Sequence, residues 1–258
     1  MIASAARKTP RGRSLAGFTL VELLLVIAII GILAALTMAV LVMVKRHAMI
    51  AQAKTEMQGI VAAILQYDQD YGRFPVAPAE QAFAGTNDFT TGLVFSTGPA
   101  GYDNNSNVVA ILMNLATYPD GTPTANAQHL KNPKQKPYLA ASLSGYDPTT
   151  NDPHPPRGVD RTGIYRDPWG NPYIITMDLS ADEQCRDLLY SLQSVSQPPS
   201  GGPAGINGLF NPADPAGNNN FFLFHGQVMV WSAGPDGKYN SGQRANEGDN
   251  RDNVLSWQ

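Results

Sequence analysis

Glu22 is the residue whose setting most clearly points to chemistry, because it is the only charged residue between Phe18 and Val44. This run is almost wholly apolar and exceeds the roughly 20 residues that cross a bilayer as a helix. A carboxylate in such a helix costs about 2.5–3.5 kcal/mol at the centre and less near the end. The setting therefore predicts that Glu22 has a partner or a function. A simple membrane anchor is the alternative interpretation of the run as a whole.

Side-chain oxygens are concentrated near the C-terminus, at Asp236, Asp249 and Asp252, with Asn250 and Asn253 beside them. Calcium prefers six to eight hard oxygen ligands in a flexible loop, and this glycine-bearing segment offers several. The spacing is not that of an EF-hand. From the residues alone, solvated carboxylates in turns are the favoured interpretation and a calcium site is the other.

Catalytic and transition-metal sites are not indicated. His129 and His154 lie in Gly-, Asn- and Pro-rich stretches without a second metal-type residue at useful spacing. Cys185 is the sole cysteine, which excludes an intrachain disulfide and a multi-cysteine zinc site. The chain also lacks the HExxH, GxSxG and GxxxxGK[ST] motifs. We therefore expect a protein that is not an enzyme.

Composition describes a chain that can bury a core, since 43% of its 258 residues are hydrophobic and 15% are charged. The 24 glycines and 20 prolines favour a loop-rich globular part over a helical bundle. A net charge of −3 argues against nucleic-acid binding. The basic residues of the first 17 positions precede the apolar run, which predicts a cytoplasmic N-terminus and an exported remainder; they are Arg7, Lys8, Arg11 and Arg13.

The sequence from Gly17 to Glu22, GFTLVE, follows this basic leader and opens the apolar run. It resembles the type IV prepilin class. That resemblance implies that a prepilin peptidase cuts between Gly17 and Phe18 and methylates the new amine of Phe18. It also implies that Glu22 is neutralised by the N-terminal amine of a neighbouring subunit, while the apolar helices stack into a filament.

The helix is expected to continue beyond the apolar run. Apolar residues recur at spacings of three and four, and Gly72 and Pro75 supply stop signals. The pattern predicts one helix from Phe18 to about Tyr71, roughly 80 Å long; a membrane helix followed by a separate amphipathic helix is the alternative. The stripe consists of Ile50, Ala53, Met57, Ile60, Ile64, Tyr67 and Tyr71.

Two further motifs lie in the second half of the chain. Residues 167–175, DPWGNPYII, predict a tight turn that enters a strand, and residues 227–232 predict a second strand. With the segment 233–257 that follows, these motifs resemble the major pseudopilins of type II secretion systems, whose C-terminal loop folds around calcium. The resemblance therefore implies a calcium ion held by Asp236, Asp249 and Asp252, where a metal would replace the missing disulfide as a crosslink.

The fold class that follows is α+β and pilin-like: a long N-terminal helix packed on a small antiparallel sheet, with long loop insertions. A helix is expected at about 107–117 and a loop at 196–220; insertions at about 76–163 and 178–226 have no counterpart in the family. The expected segments are a basic leader (1–17), a transmembrane helix segment (18–44), its amphipathic continuation (45–74) and a periplasmic globular domain (75–258).

The resemblance also implies a function and a location. The expected protein is a structural subunit of a type II secretion pseudopilus that drives export of folded proteins; the alternative is a type IV pilin-like subunit for adhesion or DNA uptake. It would cross the inner membrane once, with a periplasmic globular domain. The expected partners are the prepilin peptidase, further copies of the chain in a helical filament, other pseudopilins, inner-membrane secretion assembly proteins and the membrane, with no nucleic acid.

Overall fold

A computed structural model describes residues 17–85, 87–93, 104–150, 152 and 154–258, without the side chains of 37–40 and 42. The basic leader up to residue 16, on which the expected topology depends, lies outside the described residues. The chain divides into two compact units, Met1–His47 and Ala48–Gln258.

The protein is α+β, with a long N-terminal helix and small antiparallel sheets. The α-helices of the described residues are α1 (Leu20–Tyr71), α2 (Pro78–Ala84), α3 (Ser106–Leu112) and α4 (Gln193–Ser196), and short 3-10 turns occur between the strands. The strands described are β1 (Phe89–Thr90), β2 (Gly158–Val159), β3 (Tyr165–Arg166), β4 (Ile174–Met177), β5 (Gln184–Cys185), β6 (Phe224–His225), β7 (Val228–Ser232) and β8 (Val254–Leu255).

Helix α1 ends where the sequence predicts, because Gly72 takes a left-handed φ of 63° that an L-residue rarely adopts. The predicted helix at 107–117 is wrong at its C-terminal end, since α3 stops at Leu112. There Asn114 adopts a φ of 59°, and the Leu115 N–H closes on the Ala110 carbonyl. The capping geometry therefore ends this helix before its apolar run does.

In the first unit, the described side chains of α1 are exposed although most of them are apolar. Phe18 is 75% exposed, and the other large hydrophobic side chains described up to Val44 are also exposed. Among the described residues, no helix is long and apolar enough to cross a membrane.

In the second unit, the predicted apolar stripe of α1 forms one side of a hydrophobic core. Ala53, Met57, Ile60, Ile64 and Tyr67 are fully buried, while the flanking Ile50 and Tyr71 are half-buried. The burial follows the helical period, so the stripe prediction is confirmed residue by residue.

A four-stranded antiparallel sheet with the order β1-β4-β7-β8 covers this stripe. In its central pair, Ile174 lies opposite Trp231 and Met177 lies opposite Val228. Both predicted strands, after the DPWG turn and at 227–232, are confirmed. The short pairs β2-β3 and β5-β6 form separate two-stranded sheets.

Both faces of the four-stranded sheet are buried, in two separate cores. Ile175, Met177, Val228 and Val230 belong to the core that contains the α1 stripe. Their alternating neighbours belong to a second core, built largely from the insertion at 178–226. We call these the helix-side core and the insertion-side core. The sheet residues of the insertion-side core are Ile174, Met229, Trp231 and Leu255.

Candidate functional site

The N-terminal candidate site is built on the first turn of α1. The Thr19 backbone N–H and hydroxyl both donate to Glu22 Oε2, at 2.9 and 2.8 Å, and the Glu22 N–H donates to Thr19 Oγ1 at 3.3 Å. This reciprocal pair is a capping box, in which the side chains satisfy two N–H groups that the helix leaves open. Thr19 and Glu22 therefore fix where α1 begins.

Sequence reasoning missed this role of Glu22, although the spacing Thr-x-x-Glu before an apolar run is its signature. Gly17 and Phe18 precede the cap as exposed, non-helical residues. A peptide bond in such a segment is accessible to a peptidase. The predicted processing residues thus lie next to the cap, and the cap carboxylate belongs to the same turn.

The DPWG turn and the loop after β7 are brought together. The buried Asp167 carboxylate accepts N–H bonds from Trp169 and Asn171, at 2.9 and 2.8 Å, and a bond from the Ser232 hydroxyl. Asn171 Nδ2 donates to the Gly234 carbonyl at 2.8 Å. Burial raises the pKa of Asp167. The two motifs that sequence reasoning linked by resemblance are therefore in direct contact.

The C-terminal loop is organised by an amide rather than by the three predicted carboxylates. Buried Asn250 accepts the Asn240 N–H and donates to the carbonyls of Asn240 and Gln243, each at 2.8 Å. The exposed Asp236 carboxylate accepts the Lys238 N–H at 2.9 Å, which is an ordinary turn contact.

Asp249 and Asp252 are half-buried in the same loop. Asp249 Oδ2 lies 3.5 Å from Asn240 Nδ2. Within the described part of the chain, no group of three or more His, Cys, Asp or Glu side chains is arranged to hold a metal ion. The calcium site remains a prediction. A calcium ion bound in this loop would need backbone and amide oxygens as ligands in addition to these carboxylates.

The two loop histidines and the single cysteine considered in the sequence analysis are not arranged for chemistry. His129 Nδ1 lies 2.7 Å from Asn114 Oδ1, and His154 is exposed. Cys185 is fully buried in the insertion-side core, and burial raises the pKa of its thiol. A buried neutral thiol is unreactive.

A further carboxylate that accepts four hydrogen bonds is Asp187, which sequence reasoning did not single out. It is fully buried and accepts bonds from the Thr176 hydroxyl at 2.6 Å and Trp231 Nε1 at 3.1 Å. The N–H groups of Leu189 and Tyr190 also donate to it, both at 2.9 Å. Burial raises its pKa. Asp187 therefore ties the insertion to β4 and β7 and is structural.

Comparison with known proteins bears on the N-terminal site. Residues 13–38 match the family model described as the prokaryotic N-terminal methylation motif. Neither the curated proteins nor the solved structures gave a match to the chain. The matched range contains Gly17, Phe18 and the Thr19–Glu22 capping box. The N-terminal segment thus carries a methylation motif of the type IV prepilin kind.

Proposed function

We propose that this protein is a structural subunit of a type II secretion pseudopilus, not an enzyme, and that it polymerises through α1. The observation that carries the proposal is the methylation motif at 13–38, whose residues from Leu20 onward belong to a helix with exposed apolar side chains. Exposed apolar surface of this extent is stable only against lipid or other protein. A membrane-anchored precursor that later enters a filament meets both requirements.

The contact between the DPWG turn and the loop after β7 supports the secretion role, because both segments carry the resemblance to major pseudopilins. The long helix packed on an antiparallel sheet is consistent with a pilin-like fold. A type IV pilin-like subunit for adhesion or DNA uptake is the second candidate, favoured by the large insertions. Deleting the gene separates them: loss of secreted proteins supports the first, and loss of adhesion or transformation alone supports the second.

Processing is the first test. Cleavage between Gly17 and Phe18 and methylation of Phe18 are expected in cells with an active prepilin peptidase. Intact-mass measurement of the membrane-extracted protein checks both. A mature chain that still begins at Met1 would contradict the proposal.

Glu22 provides a sharper test, because it can act as a cap on its own chain and as a charge for a neighbour. Glutamine serves equally well in a capping box but carries no charge. We expect Glu22→Gln and Glu22→Ala both to be cleaved and inserted, and both to lose filament assembly in electron microscopy. If Glu22→Gln assembles like the native chain while Glu22→Ala does not, the carboxylate acts only as a cap.

Calcium at the C-terminal loop is a separate proposal that rests on the resemblance. Asp236, Asp249 and Asp252 would contribute oxygens, and no step of assembly is assigned to the metal. A ligand that binds only the folded state stabilises it by about 2.7 kcal/mol at a hundredfold excess over Kd. Melting the full chain in detergent with calcium and with chelator is the measurement, and Asp236→Ala should lose most of the difference. Superimposed native curves would exclude the metal.

A further inference from the structure

Basic side chains gather beside the end of α1, on a chain that is otherwise acidic. Residues 48–258 contain 20 Asp and Glu against 12 Lys and Arg. Four of these twelve cations lie together, and we call them the basic platform: Arg73, Lys131, Lys134 and Lys136. One carboxylate, Asp70, receives Lys134 and Lys136 at 3.3 and 3.1 Å.

The platform is held rigidly by tyrosines. Lys134 Nζ lies 5.2 Å from the centroid of the Tyr71 ring, and Lys136 Nζ lies 4.6 Å from that of Tyr138. The Tyr138 hydroxyl donates to Asp70 Oδ2 at 2.6 Å, and it and Lys136 hold the pKa of that carboxyl at about 2. Contacts with ring faces position a cation without neutralising it. The cations are therefore preorganised before any partner arrives.

The positive charge of the platform is not fully compensated. The side chains of Lys134 and Lys136 are 52% and 42% exposed. The Arg73 guanidinium donates to the Lys131 carbonyl, and burial together with this neighbouring cation lowers the pKa of Lys131. Four cations share one bonded carboxylate, so an anionic surface brought against them would gain favourable electrostatic energy.

An acidic surface borders the other side of the exposed face of α1. A groove of about 600 Å³ is lined by Leu65, residues 182–184 and residues 225–227, without a Lys or Arg in its lining. Asp182 and Glu183 are exposed, and the buried Asp178 carboxylate accepts both of their N–H groups, at 3.3 and 2.7 Å. Their backbone is therefore fixed as well. We call this the acidic groove.

Leu65 also lines a second groove, of about 540 Å³, whose opposite wall is formed by Tyr138, Leu139 and Ala140. Tyr138 belongs to the support of the basic platform. The platform and the acidic groove thus flank the same strip of α1, one on each side. Between Glu56 and Asp68 this helix carries no charged residue.

We propose that the basic platform of one copy docks against the acidic groove of the next copy, an inference that rests on the proposed polymerisation. Because the two surfaces differ, the contact is heterologous, and each added copy leaves one platform and one groove open. Such a contact propagates into an open chain. A nucleic acid is the disfavoured occupant, because the acidic remainder of the domain repels a polyanion.

Paired charge reversal in the full chain tests the contact. The variant K134E+K136E carries acid on both surfaces, and D182K+E183K carries base on both. Like charges placed opposite each other cost several kcal/mol, so each variant alone should lose about tenfold or more of its filament yield. Coexpressing the two should restore filaments, because every junction between unlike variants is again complementary. K238E+R251E makes the same net-charge change as the first variant at other exposed cations and should assemble normally.

Thermal melting of each variant checks its fold. D182K+E183K alters two exposed side chains and removes one exposed contact, from the Gln184 N–H to the Asp182 carboxylate. The proposal is overturned if this folded variant assembles alone like the native chain, or if the coexpressed variants stay unassembled. It is also overturned if the native chain binds duplex DNA through Lys134 and Lys136 while their reversal leaves assembly unchanged. Native chains that form no filament at all would instead refute the proposed function.

Discussion

The two faces of the four-stranded sheet are both buried, but by different means. The helix-side core joins the sheet to the apolar stripe of α1 through side chains such as Met57 and Ile64. The insertion-side core surrounds the Asp187 carboxylate, which receives four hydrogen bonds. Apolar packing is tolerant of small changes, whereas a buried polar network fails when one member is missing. The two faces should therefore respond differently to substitution.

The largest effect is expected on the insertion side, from Asp187→Ala. The substitution leaves Trp231 Nε1, the Thr176 hydroxyl and two backbone N–H groups without their acceptor. We expect the free energy of unfolding to fall by about 3–5 kcal/mol, measured by denaturant titration of the full chain in detergent. With chelator present, so that no calcium contributes, Asp236→Ala removes only an exposed carboxylate and should change it by about 0.5 kcal/mol or less. Equal effects of the two substitutions would show that Asp187 does not hold the insertion.

A smaller loss is expected on the helix side, from Ile64→Ala. Removing a fully buried side chain leaves a cavity, but alanine's higher helix propensity offsets part of that cost. The expected decrease is about 2–3 kcal/mol by the same titration. Gln66→Ala, on the exposed face of the helix, is the matched control and should be neutral. A loss larger than that of Asp187→Ala would reverse the ranking of the two faces.

The smallest effect is the contribution of one carboxylate, Asp88 on the insertion side, to the pH dependence of stability. Burial, with the nearby Asp178, raises the pKa of Asp88 to about 6, and Asp88 Oδ1 is buried without a hydrogen-bond partner. Its other oxygen accepts the Arg186 N–H of the insertion at 2.6 Å. A raised carboxyl pKa means that the folded state holds the proton more tightly. The stabilising contribution is therefore complete below about pH 4 and is lost as the pH rises through about 6.

Asp88→Asn removes this dependence, since the amide stays neutral. Between about pH 4 and pH 7, the free energy of unfolding should fall more steeply for the native chain than for the variant. With chelator present throughout, Asp236→Asn serves as the exposed control and should keep the native slope. If the free energy of unfolding changes equally with pH for the native chain and for Asp88→Asn, Asp88 is not the source of the pH dependence.

The helix-side core could be predicted from sequence because its information is local. The spacing of Met57, Ile60 and Ile64 specifies one helical face, and Gly72 specifies its end. The strands at 174–177 and 228–232 follow from equally local signals. The extent of α3 was less predictable, because the left-handed conformation of Asn114 overrides the apolar run.

The insertion-side core could not be predicted from the sequence in this way. Its members are spread from Leu93 to Leu255, and about half of them lie outside the helices and strands. One signal was present: the strands read Ile-Ile-Thr-Met and Val-Met-Val-Trp, without polar alternation, which is typical of strands buried on both faces. What covers the second face depends on long-range contacts such as that between Asp187 and Trp231.

At the candidate sites, sequence reasoning assigned processing to Gly17 and Phe18 from the order of residues along the chain. That assignment stays a prediction, and the motif match spans both positions. Sequence reasoning also found the oxygen-rich C-terminal loop, but not the dominance of Asn250 there, because an asparagine that bonds backbone groups has no distinctive spacing. The basic platform was equally hidden, since Arg73 and the lysines at 131–136 are far apart in sequence.

The four-stranded sheet ends on two very short strands, β1 and β8, of two residues each. A long exposed edge strand presents a row of unpaired backbone N–H and C=O groups that a strand of another molecule can pair with. Such pairing is a common route to amyloid-like aggregation. Here that row is only two residues long on either side. Copies crowded at high local concentration are thereby discouraged from pairing sheet to sheet, and ordered association is left to side-chain surfaces.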